Sequence, residues 1–295
     1  MKQEKVAIGI PFRASNKIDS LILCLASLKK YVKFEYDLFL LVDYTNDNIE
    51  QNFSIKNILE LNNEIRIKYY KNTRGGLYKQ ALIDWISDEN YDYFFIMHAD
   101  IFLYKENVLE KMISDLRNTD NMIVSWKTDL LEYKSTYHIK EETKKCMMIA
   151  PRICTWLFCV NNKIYKKYIK ENKLEYPLFA GHYWFDLNED NEYINWIKEQ
   201  TNYDLIKKNY TKCFFDIGTF FRFLVENSDI KMISYGLEQN PSFSKMDLCY
   251  REFGFVHIEQ YDPTRFNDEF YKCDLLEERS KIIKELLKKE YNIDI

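Results

Sequence analysis

The stretch Asp92-Tyr93-Phe94-Phe95-Ile96-Met97-His98-Ala99-Asp100-Ile101-Phe102-Leu103 decides the fold, because an apolar run ends there in a short polar triplet. The run 93–97 has the length and aromatic content of a strand covered on both faces. Side chains alternate along a strand, so His98 and Asp100 are expected on one face and Ala99 on the other. Ligands of open α/β sheets collect at the carboxyl ends of strands, where a carboxylate could hold a divalent cation. Alternatively, Asp100 caps a following helix and His98 is a core histidine.

The first part of the chain alternates between strand and helix patterns, which predicts an α/β fold with a mainly parallel sheet and right-handed crossovers. Pro11 is expected to end the first strand. The predicted strands are 6–10, 36–42, 65–70, 93–97 and 122–126, and the predicted helices are 18–28, 54–61, 77–87 and 107–116.

The second part is less regular, and 130–145 is interpreted as a polar loop. The absence of a repeat or a linker favours one continuous body. The predicted elements are strands at 155–160, 230–235 and 253–257, helices at 163–171, 192–200 and 216–225, an aromatic loop at 176–186, and a C-terminal amphipathic helical segment within 265–291.

Composition excludes several classes of protein. The 295 residues carry a formal net charge of -4, which argues against a nucleic-acid-binding protein held by a general basic field. No apolar run approaches the ~18 residues of a membrane span, so none is expected. The seven cysteines are scattered and contain no Cys-x-x-Cys pair, which indicates neither a disulfide framework nor a zinc site. We therefore expect a cytoplasmic protein.

Four groups of residues are expected to converge at one end of the predicted sheet. A diphosphate needs hydrogen-bond donors and a cation to offset its charge, and a nucleoside base needs a carboxylate or an amide. The chain contains no Walker lysine motif and no G-x-G-x-x-G, which weakens ATPase and dinucleotide-binding interpretations. The four groups are Pro11, Phe12 and Arg13 after the first strand; Asp43 and Asp47 after the second; Arg74, Gly75 and Gly76 before a helix; and His98, Ala99 and Asp100.

These motifs together resemble the nucleotide-sugar half of GT-A-fold glycosyltransferases, with family 2 the nearest in pattern. The resemblance implies a GT-A fold, a nucleotide-diphosphate sugar as donor, and Mn²⁺ or Mg²⁺ as cofactor held by Asp100. The sequence departs from the family where His98 replaces the first aspartate of the metal motif and where Tyr44 replaces a second acidic residue. The implied organisation is a nucleotide-sugar-binding half at 1–126, an acceptor-binding and catalytic-base half at 127–262, and a C-terminal helical segment at 263–295.

The second half also resembles the family, at the segment where an acidic residue opens a helix and serves as catalytic base. Asp216 occupies that position, although a carboxylate before a helix suits an N-cap equally well. Asp186 is the rival base, since it follows the aromatic residues 183–185, which could stack on an acceptor sugar. His257 resembles an additional metal-contacting histidine of some GT-A enzymes.

The resulting prediction is a metal-dependent, inverting glycosyltransferase that moves a sugar to a hydroxyl of a glycan, lipid-linked or protein acceptor. Such an enzyme would serve glycan or polysaccharide biosynthesis. Two alternatives stay open. One is a nucleotidyltransferase that forms a sugar nucleotide, although the loop after the first strand lacks its expected glycines. The other is a non-catalytic partner that binds a nucleotide or a glycan.

Overall fold

A computed structural model describes residues 4–13, 18–44, 65–71, 77–129, 131–132, 147–171, 183–237, 254–257 and 273–292. The predicted helix at 54–61 lies outside these ranges. The strands are β1 (Val6–Arg13), β2 (Asp37–Tyr44), β3 (Arg66–Lys71), β4 (Tyr93–Met97), β5 (Ile101–Leu103), β6 (Asn121–Thr128), β7 (Leu131–Glu132), β8 (Met147–Ile149), β9 (Arg152–Ile153), β10 (Leu157–Asn161), β11 (Tyr183–Asp186), β12 (Lys212–Phe215), β13 (Lys231–Leu237) and β14 (Phe255–His257).

Helices cover both faces of the main sheet. In the described ranges, none of them has the length and apolar character needed to cross a membrane. They are α1 (Ile18–Tyr31), α2 (Leu77–Asp88), α3 (Val108–Leu116), α4 (Asn162–Tyr165, continued by a π-helical stretch Lys166–Glu171), α5 (Glu192–Lys198), α6 (Tyr203–Ile206), α7 (Ile217–Glu226) and α8 (Cys273–Tyr291).

The central sheet has the strand order β3-β2-β1-β4-β10-β6-β13, and the short β9 pairs with the end of β6. β10 runs antiparallel to both of its neighbours, whereas the other strands of this order run in one direction. The mainly parallel sheet predicted from the alternation of strands and helices is therefore confirmed. β10 and β13 extend it with residues from the second half of the chain.

β4 lies at the centre of this sheet and is buried on both faces, as its apolar run predicts. Phe95 packs in a core cluster with α1 and α3, and Phe94 packs in a second cluster with α2 and α7. All five residues of β4 are buried. The alternation of a strand thus divides the core into two layers, one on each side of the sheet.

β1 continues through Pro11 to Arg13, so the prediction that Pro11 ends this strand is wrong. The reason lies in the pairing of β1. Its pairing with β4 stops at Gly9, whereas its pairing with β2 continues to Arg13. Among the described strands, β1 pairs with β2 alone beyond Gly9, and proline is tolerated at such edge-like positions.

In the described residues, two smaller sheets contain strands from the second half. β11, β12, β8 and β7 form one of them, and β5 pairs with β14 in the other. The predicted aromatic loop at 176–186 is therefore wrong for Tyr183 to Asp186, which form β11 against β12. A four-residue strand carries little pattern of its own, and its partner comes from a segment distant in sequence.

Candidate functional site

The polar triplet lies in a turn at the end of β4. The backbone N–H of His98 donates to Trp156 O at 2.8 Å, and Ile101 N donates to His98 O at 3.1 Å. His98 Nδ1 lies 3.8 Å from Asp100 Oδ1, and about a fifth of each side chain is exposed. The two side chains lie close together in a turn, whereas the alternation of a strand predicted that they would share one face of a continued strand. β5 follows Asp100, so this residue does not open the next helix.

α1 holds this turn from one side. The thiol of Cys24 donates to His98 O at 3.8 Å, and Ser27 Oγ accepts from Leu103 N at 3.0 Å. Burial, followed by the negative charge of Asp100, raises the pKa of Cys24 well above its usual range. Cys24 therefore stays a protonated donor, and α1 fixes the backbone of the turn on both sides of Asp100.

β14 brings a predicted metal ligand to the same place. His257 stands opposite Ile101 in the antiparallel register of β14 and β5, so its backbone lies next to the residue that follows Asp100. In the part of the chain that the structure describes, no three side chains of histidine, cysteine, aspartate or glutamate form a metal-binding group. Among the described residues at the end of β4, the side chains with metal-ligating atoms are those of Asp100 and its neighbour His98.

The carboxyl ends of β1 and β2 lie along the same edge. Asp43 is fully buried and stands opposite Arg13 on one side and Tyr70 on the other. Pro11 lies in the β1–β2 ladder, and the side chains of Phe12 and Ala99 are buried in the core cluster on the α1 face. The other predicted donor-binding residues, Asp47, Arg74, Gly75 and Gly76, lie outside the described residues.

Asp216 is the N-cap of α7. Its Oδ1 accepts from Thr219 N at 3.0 Å, and the side chain of Thr219 closes a capping box by accepting from the backbone of Asp216. Its Oδ2 accepts from Arg152 Nη1 at 3.2 Å. The helix-cap interpretation is therefore confirmed, and the carboxylate also carries an ion pair that a cap does not require.

Arg152 and Trp156 connect Asp216 to the triplet. The guanidinium of Arg152 lies 5.9 Å from the centre of the Trp156 ring, and the carbonyl of Trp156 receives the His98 N–H. Sequence reasoning missed both residues, because at this edge of the main sheet it expected functional groups only after parallel strands. β10 is antiparallel, so the segment that precedes it lies at the carboxyl edge. Its antiparallel direction was the missing signal, and an apolar run does not reveal direction.

Asp186 lies elsewhere on the small sheet. It pairs with Lys212 at the start of β12, whereas Tyr183 pairs with Phe215, directly before Asp216. Three residues of strand separate the two positions, about 10 Å at ~3.3 Å per residue. Asp186 Oδ1 accepts from Asn188 N at 2.9 Å, which closes a turn. The structure therefore brings Asp216, and not Asp186, to the edge that carries the triplet.

Fold and site together define an α/β protein whose polar residues collect at the carboxyl edge of a mainly parallel sheet. No protein-family model matches the sequence, and a search of curated proteins finds no match either. Similar solved structures include glycosyltransferases, and the chain spans less than half the length of the first two named here.

The first is the mannosyltransferase PcManGT from Pyrobaculum calidifontis in complex with GDP-Man and Mn²⁺, with 14% identity, TM-score 0.38, and coverage of 57% of this chain and 47% of that one. TarS from S. aureus has 15% identity, TM-score 0.32, and coverage of 42% and 22%. Mouse xyloside xylosyltransferase 1 in its apo form has 12% identity, TM-score 0.39, and coverage of 78% and 84%. At these values the similarity determines neither the fold family nor the activity.

Proposed function

We propose that this protein is a GT-A-type glycosyltransferase that moves a sugar from a nucleotide-diphosphate donor to a hydroxyl acceptor, with inversion at the anomeric carbon. The observation that carries the proposal is the placement of two carboxylates at one sheet edge. Asp100 follows β4, Asp216 opens α7, and the contacts of Arg152 and Trp156 link them. Asp100 would hold the cation that neutralises the leaving diphosphate, and Asp216 would accept the proton of the acceptor hydroxyl.

Asp100 and His98 fit a divalent cation that binds together with its substrate. Mg²⁺ is usually held by one or two carboxylates together with substrate phosphates and water. When bound, such a cation would neutralise charge that develops on the leaving diphosphate. His257 is a further ligand in this proposal, because its backbone lies beside the Asp100 turn.

Donor recognition is assigned to the ends of β1 and β2 and to the loops that follow them. Asp43 would contact the nucleoside base, and its neighbour Arg13 would provide a phosphate donor. The residues Asp47, Arg74, Gly75 and Gly76, together with the backbone of Pro11, Phe12 and Ala99, complete the proposed donor site.

Asp216 is the proposed catalytic base. It would accept the proton of the acceptor hydroxyl as that oxygen attacks the anomeric carbon in line. Its capping box holds Oδ1, and its negative charge lies at the positive end of the α7 dipole. Asp186 remains the alternative base, less favoured because the strand places it about 10 Å along β12.

The acceptor side is proposed to include an aromatic pair on β11 and β12. Trp184 is 43% exposed, and its ring lies 4.5 Å, centre to centre, from that of Phe214. An exposed indole offers an apolar face with a polar edge, which suits stacking against a sugar ring. A glycan, a lipid-linked glycan or a glycosylated protein would present such a ring.

The test is a transfer assay with a panel of nucleotide-diphosphate sugars and sugar acceptors, with and without Mn²⁺. We expect Mn²⁺-dependent release of nucleoside diphosphate in the wild type and its loss in Asp100→Asn. NMR of the product should show an inverted anomer. Asp92→Asn is the matched control, since this exposed carboxylate lies just before β4, at the opposite edge of the sheet.

Two outcomes would favour the alternatives. Release of pyrophosphate from a nucleoside triphosphate and a sugar phosphate would identify a nucleotidyltransferase. Binding of sugar nucleotides without turnover for any acceptor would favour a non-catalytic partner. Unchanged activity in Asp100→Asn would contradict the assignment of the metal ligand.

A further inference from the structure

We infer that Arg152 is a positioning residue that fixes the orientation of the Asp216 carboxylate for proton transfer. The inference rests on the proposed function of Asp216 as base. Arg152 does not touch the acceptor in this assignment; it acts through the 3.2 Å contact of its Nη1 with Asp216 Oδ2.

The capping box holds the Asp216 carboxylate through one oxygen. Thr219 holds Oδ1 through its backbone N–H at 3.0 Å and its hydroxyl at 3.3 Å. The terminal torsion of aspartate is broad, so small rotations about the Cβ–Cγ bond would move both oxygens while the bonds to Oδ1 lengthen. The contact of Arg152 with Oδ2 restrains this torsion from the other side of the carboxylate and so fixes the direction of Oδ2.

Arg152 is itself held by its surroundings. Its backbone pairs with Thr128 at the end of β6, and its guanidinium lies over the ring of Trp156. Its side chain is 22% exposed, whereas that of Arg117, paired with Glu4 elsewhere on the protein, is 49% exposed. A planar guanidinium restricted by a ring and a strand loses less freedom when it binds a carboxylate than a free side chain does.

Capping of α7 does not require this ion pair. α7 is already capped by Asp216 and Thr219 without any contribution from Arg152. The Arg152 and Asp216 side chains are only 22% and 12% exposed, so loss of this largely buried ion pair is expected to lower the melting temperature as well. A fall in kcat at a temperature where the variant is fully folded, with both KM values unchanged, would therefore separate a positioning role from a structural one.

The experiment compares Arg152→Met and Arg152→Lys with Arg117→Met as matched control. The readouts are kcat, the KM for donor and for acceptor, and the melting temperature. We expect kcat to fall by about 10- to 100-fold in Arg152→Met, a part of the 10²–10⁴ that a general base contributes. Both KM values should stay within about twofold. Arg152→Lys keeps the positive charge but loses the planar guanidinium, and its kcat should lie between those of Arg152→Met and the wild type. Arg117→Met should keep the wild-type kcat.

A second comparison uses Asp216→Asn as background. If Arg152 acts through Asp216, adding Arg152→Met to Asp216→Asn should reduce kcat no further, because residues that act as one unit are not additive. A wild-type kcat in Arg152→Met, a selective rise in donor KM, or a further loss in the double variant would each overturn the inference. If Arg152→Met does not fold, Arg152→Lys carries the same comparison. A wild-type protein that transfers no sugar would refute the proposed function, and the inference with it.

Discussion

Gly218 is the position where a single methyl group should disturb both packing and chemistry. A Cβ at this residue would lie 2.2 Å from Ile153 O and 2.9 Å from Thr155 Cγ2. An ordinary contact begins near 3.4 Å, so the start of α7 would have to move away from β9 by about 1 Å. Since Asp216 caps α7 and Arg152 lies on β9, this movement would stretch their 3.2 Å hydrogen bond.

The expected cost follows from two opposing effects. Overpacking costs about 1–3 kcal/mol, whereas the higher helix propensity of alanine returns at most ~1 kcal/mol. The cost of overpacking is the larger effect, because the backbone carbonyl of Ile153 cannot rotate away from the new methyl group as a side chain can. We expect Gly218→Ala to lose about 1–2 kcal/mol in the free energy of unfolding, which corresponds to several degrees in melting temperature.

Urea unfolding and a transfer assay measure the two consequences. Gly9→Ala is the matched control, because its new methyl group would meet the side-chain ends of Ile86, Ile96 and Leu82, which can shift. We expect a smaller loss of stability there and an unchanged kcat. If Gly218→Ala is as stable as the wild type and keeps its kcat, the reasoning on this close approach is wrong.

Three further predictions concern the site. Asp216→Asn should lower kcat by about 10²–10⁴-fold while the melting shift caused by the donor persists, since asparagine caps helices nearly as well; loss of folding would instead assign Asp216 to structure alone. Trp184→Ala should raise the acceptor KM by about tenfold, equivalent to ~1.4 kcal/mol of stacking, without changing the donor KM; an unchanged acceptor KM would place the acceptor elsewhere. Asp100→Asn should remove the dependence on Mn²⁺ together with the activity, and retention of both would contradict its role.

The sequence was sufficient for the elements whose stability comes from their own pattern. The apolar run of β4 predicts its bounds and its burial on both faces, because a strand covered by helices on each side needs apolar residues at every position. The helical spacing of apolar residues predicts α1, although it continues three residues further, to Tyr31.

The parts of the site that depend on distant pairing could not be predicted. Nothing in the run 157–161 shows that β10 is antiparallel, so the position of Arg152 at the carboxyl edge was missed. The cap and base interpretations of Asp216 looked equivalent in sequence, and the structure shows that a cap with an added ion pair is present. His98 and Asp100 were expected to share a face of a strand, but a turn places them together.

The most direct test of the central claim is a thermal-shift measurement with nucleoside diphosphates, with and without Mn²⁺, on the wild type and Asp100→Asn. A ligand at 100 times its Kd stabilises the folded state by about 2.7 kcal/mol, which gives a readily measured rise in melting temperature. We predict that at least one nucleoside diphosphate raises the melting temperature of the wild type only when Mn²⁺ is present, and that Asp100→Asn loses this rise. Equal shifts in both proteins, or no shift with any nucleoside diphosphate, would contradict a metal-assisted sugar-nucleotide site at the end of β4.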